Sequence, residues 1–137
     1  MTRRRILIGY QLITGASDTA TGALLIFAPA LTLRLMHLQA GGDALPFLSY
    51  VGVFVLSVGI ACLYGGWLAT RPASAPKLEV VWLLTAITRG LVAVFVTARL
   101  LSGSFETGWI VVALSDGTLA LIQAIGLSRG WLNDALA

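Results

Sequence analysis

The chain has 137 residues, of which 58% are hydrophobic and 11% charged, against roughly one-quarter charged in soluble globular domains; its mean hydropathy is +0.91. The net charge of +3 belongs to basic residues scattered at the ends of apolar runs, with no basic face interleaved with aromatics, which excludes a nucleic-acid partner. A single cysteine, Cys62, and a single histidine, His37, exclude an internal disulfide, a C-x-x-C redox pair, bis-histidine haem and a histidine-rich zinc site within one chain, so no metal or cofactor is expected.

Four apolar runs, residues 6–28, 45–69, 78–101 and 108–127, each reach the about 20 residues that a bilayer-crossing helix needs. The short connections leave nothing from which to build a soluble domain. The expected fold is therefore all-α: an integral membrane four-helix bundle occupying residues 1–137 as one transmembrane domain.

The first run opens with "TRRRILIG", which has the basic-then-apolar pattern of an export signal. No A-x-A cleavage site follows and Asp18 interrupts the apolar stretch, so a positively flanked first span is the preferred reading. Pro29 should end or kink that helix, because proline lacks the amide donor and crowds the preceding turn. "LTLRLMHLQ" then alternates apolar and polar residues and reads as a short interfacial segment carrying Arg34 and His37. "AGGDALP" is flexible punctuation before the second span.

Beyond the second span, "TRPASAPK" is a Pro/Ala/Ser connection, and "SGSFETG" turns between the third and fourth spans. Trp67, Trp82, Trp109 and Trp131 lie near span ends, the pattern of an aromatic belt. Cys62 falls in the second span, where a free cysteine usually serves as a small buried apolar residue. "ASDTATGALLI" and "LSDGTLALI" share a Ser-Asp pair with a following threonine, a match too short to establish duplication.

Arg3, Arg4, Arg5, Arg71, Lys77 and Arg129 fall on one side of the four spans, and only Arg34 and Arg99 on the other. The positive-inside rule makes the first side cytoplasmic, with both termini there. The expected location is the bacterial inner membrane, with the lipid bilayer as a partner.

Three runs carry a central charge: Asp18, Arg89 and Asp116. At a helical rise of about 1.5 Å per residue, all three reach a layer roughly 16 to 18 Å above the inner edge of the hydrocarbon. An isolated charge there costs at least about 2.5 kcal/mol. Two carboxylates sharing the five-donor fork of Arg89 remove most of that cost.

The neighbouring polar residues follow helical spacing. Gln11, Thr14 and Asp18 share a face with Thr21, Thr85 shares one with Trp82 and Arg89, and Gln123 lies a heptad from Asp116. Tyr50, Ser57 and Tyr64 recur every seven residues on the second span, and so do Gly52, Gly59 and Gly66, about 200° around the helix. If the tyrosine stripe faces the bundle interior, the glycine ridge faces outward, where a second copy or a partner helix can pack closely; ordinary tolerance of glycine in membrane spans explains the same pattern.

"LLIFAPALTLRLMHL", "YVGVFVLSVGIACLYGG" and "VALSDGTLALIQAIGL" together resemble the small four-helix bacterial membrane proteins that include the DoxX-like group. That resemblance implies a four-span fold and, for some members, an accessory place in a larger redox complex.

Two functional expectations remain open. The first is a non-enzymatic bundle that binds a partner membrane protein or a lipid-like ligand, with the Asp-Arg-Asp cluster in its interior and the glycine ridge as interface. The second is a small proton- or cation-coupled transporter acting as a dimer, since two acids against one base leave an excess negative charge. The cluster also admits a purely structural reading as a helix-register lock. An enzyme is the weaker expectation, because no Ser/His, Cys/His, metal-ligand or phosphate-loop arrangement accompanies the acids.

Overall fold

The computed structural model describes residues 2–39, 41–71 and 73–136. Of the described residues, 87% are helical. Its helices are α1 (Thr2–Phe27), α2 (Pro29–Leu35), α3 (Leu45–Ala69), α4 (Ala75–Leu101), α5 (Ile110–Ser128) and α6 (Trp131–Leu136). Short 3-10 turns, Gly42–Ala44 and Thr107–Trp109, lead into α3 and α5.

The breaks between helices follow from local chemistry. Ala28 leaves helical geometry at φ −144° and ψ 57°, and Pro29 begins α2 at a position where its missing amide costs nothing. α4 stops where Gly103 adopts φ 69°, which lets the Ser104 amide reach back to the Arg99 carbonyl at 3.0 Å. Glycine takes that left-handed conformation without a Cβ penalty.

Three helical stretches, Gly42–Ala69, Ala75–Leu101 and Thr107–Ser128, are long and apolar enough to cross a membrane. α1 has the length, at 26 residues, but its three arginines and the polar stripe from Gln11 to Thr21 dilute its apolar content. The expected run boundaries agree closely with α3 at both ends and with α4 at its C-terminus, while α6 lies beyond any predicted run.

The four long helices form two tight pairs, α1 with α3 and α4 with α5, which meet through a lighter α3–α4 contact. Both pairs are antiparallel. Along α3, Gly52 lies against Gly22 and Leu25, Gly59 against Asp18 and Thr19, and Gly66 against Gln11 and Leu12 of α1. α1 supplies a matching set, with Gly15 and Gly22 against Leu63 and Leu56. Between the second pair, Gly117 approaches Ala93 and Gly90 approaches Ala120. Absence of a side chain at these points brings backbones close enough for dispersion contacts, the main attraction between apolar helices in lipid.

This packing reverses the expected orientation of the second span. Gly52, Gly59 and Gly66 are buried within the chain against α1 and offer no outward ridge. Tyr50, at 64% exposure, and Tyr64, at 48%, face outward with Ser57. The hydroxyl of Ser57 donates to the Val53 carbonyl of its own helix at 2.8 Å, so it needs no interior partner.

At one end of the bundle the N-terminus, the α3–α4 connection and α6 come together. Arg4 Nε donates to the Ala69 carbonyl at 2.8 Å, and Asn133 Nδ2 donates to Glu79 Oε1 at 2.8 Å. α6 inserts Leu132 into an apolar cluster with Leu7, Leu68, Leu78 and Trp82. Trp82 is interior at 3% exposure and does not belong to a surface aromatic belt, whereas Trp67 and Trp131 are exposed.

A Cβ added at Gly59 would stand 2.5 Å from the Thr19 amide nitrogen. Gly59→Ala is expected to lower stability by about 1–3 kcal/mol, the usual cost of overpacking. Ser57→Ala, on the exposed face, is expected to change it by less than about 0.5 kcal/mol. Thermal unfolding of both variants followed by helical circular dichroism checks this difference.

Candidate functional site

Backbone proximity joins α1 to α3 and α4 to α5, but no comparable approach joins α1 to α4 or α5. Side chains bridge that gap.

The central bridge is Arg89. Its Nη1 donates to Asp116 Oδ1 of α5 at 2.6 Å, and its Nη2 donates to Asp18 Oδ2 of α1. One guanidinium on α4 thereby links both neighbouring helices, as the common depth of the three charges predicts. Arg89 is 4% exposed, while Asp18 and Asp116 retain 18% and 20%. Two carboxylates against one guanidinium carry one net negative charge when both are ionised, and the arrangement can hold a proton or a single cation beside the fork.

Towards the end where the termini meet, a neutral polar layer follows. Gln123 Nε2 donates to Thr85 Oγ1 at 2.9 Å, tying α5 to α4. Thr85 in turn donates to the Val81 carbonyl, and Thr14 to the Tyr10 carbonyl, both at 2.8 Å within their own helices. Gln11 is fully buried, with its amide against Gly65 of α3.

Gln11, Thr14, Asp18, Thr85, Arg89, Asp116 and Gln123 are thus collected at one interior surface. Tyr50, Ser57 and Tyr64 are not; they lie on the outer face of α3, where Tyr64 stacks on Trp67 with ring centroids 5.5 Å apart.

Nearest the termini, Tyr10 of α1 and Trp82 of α4 meet with ring centroids 5.4 Å apart. They line a crevice of about 590 Å³ between α1, α4, α5 and α6, together with the apolar Ile6, Leu7 and Ile122 and the charged Arg3 and Arg129. That volume is within the about 300–1,000 Å³ of small-molecule sites. Buried polar atoms usually have a hydrogen-bond partner, yet Tyr10 Oη and Trp82 Nε1 have none within the protein.

Reading the sequence for charged and polar stripes missed this crevice, because its walls are apolar. The available signal was the spacing of Arg3, Ile6, Leu7 and Tyr10, which follows the first helix along one face. The return of α6, which supplies the remaining wall, had no counterpart in the sequence pattern.

Among the described residues, no three His, Cys, Asp or Glu side chains gather as a metal-ligand set. No family model matches the chain, and no curated protein or solved structure matches it.

Removing the guanidinium leaves two carboxylates without their partner. Arg89→Met is expected to destabilise the bundle by about 3–5 kcal/mol. The triple variant Asp18→Asn, Arg89→Met, Asp116→Asn, which removes every charge together, is expected to regain most of that loss. Chemical unfolding in detergent micelles compares the two, and equal stability of Arg89→Met and the parent would reject the bridge as a structural element.

Proposed function

We propose that the chain is a non-enzymatic, multi-pass protein of the bacterial inner membrane that binds a lipid-like ligand in the crevice between α1 and α5. In this reading α1 is a fourth span, tolerated in lipid because its polar stripe turns to the other helices and satisfies the requirement for internal partners. Both termini are cytoplasmic. Support comes from the gathering of N-terminus, α3–α4 connection and α6 at one end, which also carries Arg3, Arg4, Arg5, Arg71, Lys77 and Arg129. The resemblance to DoxX-like proteins adds the expectation of an accessory place within a larger membrane complex.

The observation that carries the ligand reading is the crevice itself. It combines apolar and aromatic walls, including Tyr10 and Trp82, with the guanidinium groups of Arg3 and Arg129 along its lining, the combination an amphiphile satisfies. In detergent, added membrane lipid is expected to raise the melting temperature, by the equivalent of about 2.7 kcal/mol at a hundredfold excess over Kd. Ile122→Trp, which fills the crevice, should abolish most of that rise. An equal rise in parent and variant would reject the crevice as the binding place.

A second reading, a proton- or cation-coupled transporter acting as a dimer, is favoured by the partial exposure of Asp18 and Asp116 on either side of the Arg89 fork. The second copy would seat on the exposed Tyr50, Ser57 and Tyr64 face of α3. Asp18→Asn and Asp116→Asn are expected to reduce ion-driven flux in reconstituted vesicles, and unchanged flux in both rejects transport.

A further inference from the structure

We infer that the ligand of the α1–α5 crevice is an anionic phospholipid, held by its phosphodiester at Arg3 and Arg129. This rests on the lipid-binding reading above and adds the chemical class of the headgroup.

The mouth of the crevice has a defined charge. Arg3 Nη1 lies 3.4 Å from Asp134 Oδ2, both side chains being largely exposed, and Arg129 stands on the same rim. Two guanidinium groups and one carboxylate leave a single net positive charge. A phosphodiester carries a single negative charge and accepts paired N–H donors from guanidinium, which matches planar oxyanions better than any other side chain. A zwitterionic lipid brings its own cation to the same rim and meets Arg3 and Arg129 unfavourably.

Below the mouth, the polarity falls in the order a phospholipid requires. Tyr10 lies seven residues beyond Arg3 on α1, about 10 Å along the helix. At that level the rings of Tyr10 and Trp82, in contact with each other, line the crevice and offer it aromatic surface. The glycerol and first acyl carbons below a phosphodiester are apolar enough to pack on that aromatic surface. Exposed Ile13 of α1 and Leu121 of α5 continue the apolar surface beyond them for the acyl chains.

The test uses Trp82 as reporter in a full-length Trp67→Phe, Trp109→Phe, Trp131→Phe variant reconstituted in phosphatidylcholine vesicles. Phosphatidylglycerol or phosphatidylcholine brominated near the ester end of the acyl chains is then titrated in. Because Trp82 is buried, quenching reports lipid within the crevice. The anionic lipid is expected to give half-maximal quenching at an about tenfold lower mole fraction, the size of charge-assisted hydrogen bonding at a partly exposed rim.

Arg3→Gln with Arg129→Gln should bring the two lipids to equal potency while preserving quenching by both. Arg3→Lys with Arg129→Lys keeps the charge and should retain the preference, a result that a misfolded double variant would not give.

Equal quenching by the two lipids in the reporter protein overturns the headgroup inference and leaves lipid binding standing. Absence of Trp82 quenching by either lipid, with a Trp67-only variant quenched normally, overturns lipid binding in the crevice itself. Loss of the preference on adding excess inorganic phosphate would assign the arginine pair to soluble anions and likewise overturn the inference. Native mass spectrometry of the detergent-released protein should show phosphatidylglycerol retained by the parent and lost from the Arg→Gln pair.

Discussion

A guanidinium in apolar surroundings needs acceptors for its N–H donors, and Arg89 finds them for both terminal nitrogens in carboxylates from two different helices. Because Asp18 belongs to the α1/α3 pair and Asp116 to the α4/α5 pair, this fork is where the two halves of the bundle are held in register. Its geometry constrains both halves at once: a shift of α1 along its axis by one turn, about 5.4 Å, would withdraw Asp18 from reach. Such a bridge need not add net stability over an apolar contact. It does make other registers costly, since each would leave a charge without a partner.

The rest of the architecture divides labour around that bridge. Close backbone approach through Gly15, Gly22, Gly52, Gly59 and Gly66 makes α1 and α3 a rigid unit, whereas the face between α1 and the second pair is furnished with side chains that reach across a wider gap. Polar and aromatic residues are suited to this work. Tyr10 and Trp82 span it near the termini, Gln123 and Thr85 secure the second pair beside it, and Arg89 spans it further in. The same width that demands long side chains leaves the crevice between α1 and α5.

The short helix α6 matters out of proportion to its length. Leu132 anchors it in the apolar cluster, and the pairs Arg3 with Asp134 and Asn133 with Glu79 fasten it to α1 and α4. Exposed pairs of this kind contribute little stability. Their consequence is positional: they hold Arg3 and α6 together along the crevice that Arg129 also lines. The crevice and the ion-paired core are thus two features of one seam, at different depths.

Much of this was legible from the residues alone. Apolar run lengths predict the long helices, Pro29 predicts the end of α1, and the equal depth of Asp18, Arg89 and Asp116 predicts their meeting, because burying three charges separately is too costly. The orientation of α3 was not legible in the same way. That helix is apolar on every side, so hydropathy has no preferred direction, and its glycine and tyrosine heptads are equally periodic. Only the complementary glycines of α1, once the two helices lie side by side, decide that small residues face inward and the tyrosines outward. The crevice depends still more on tertiary placement: the packing of α5 brings Arg129 to the opening that Arg3 lines, and only the return of α6 adds Leu132 and Asp134 beside it.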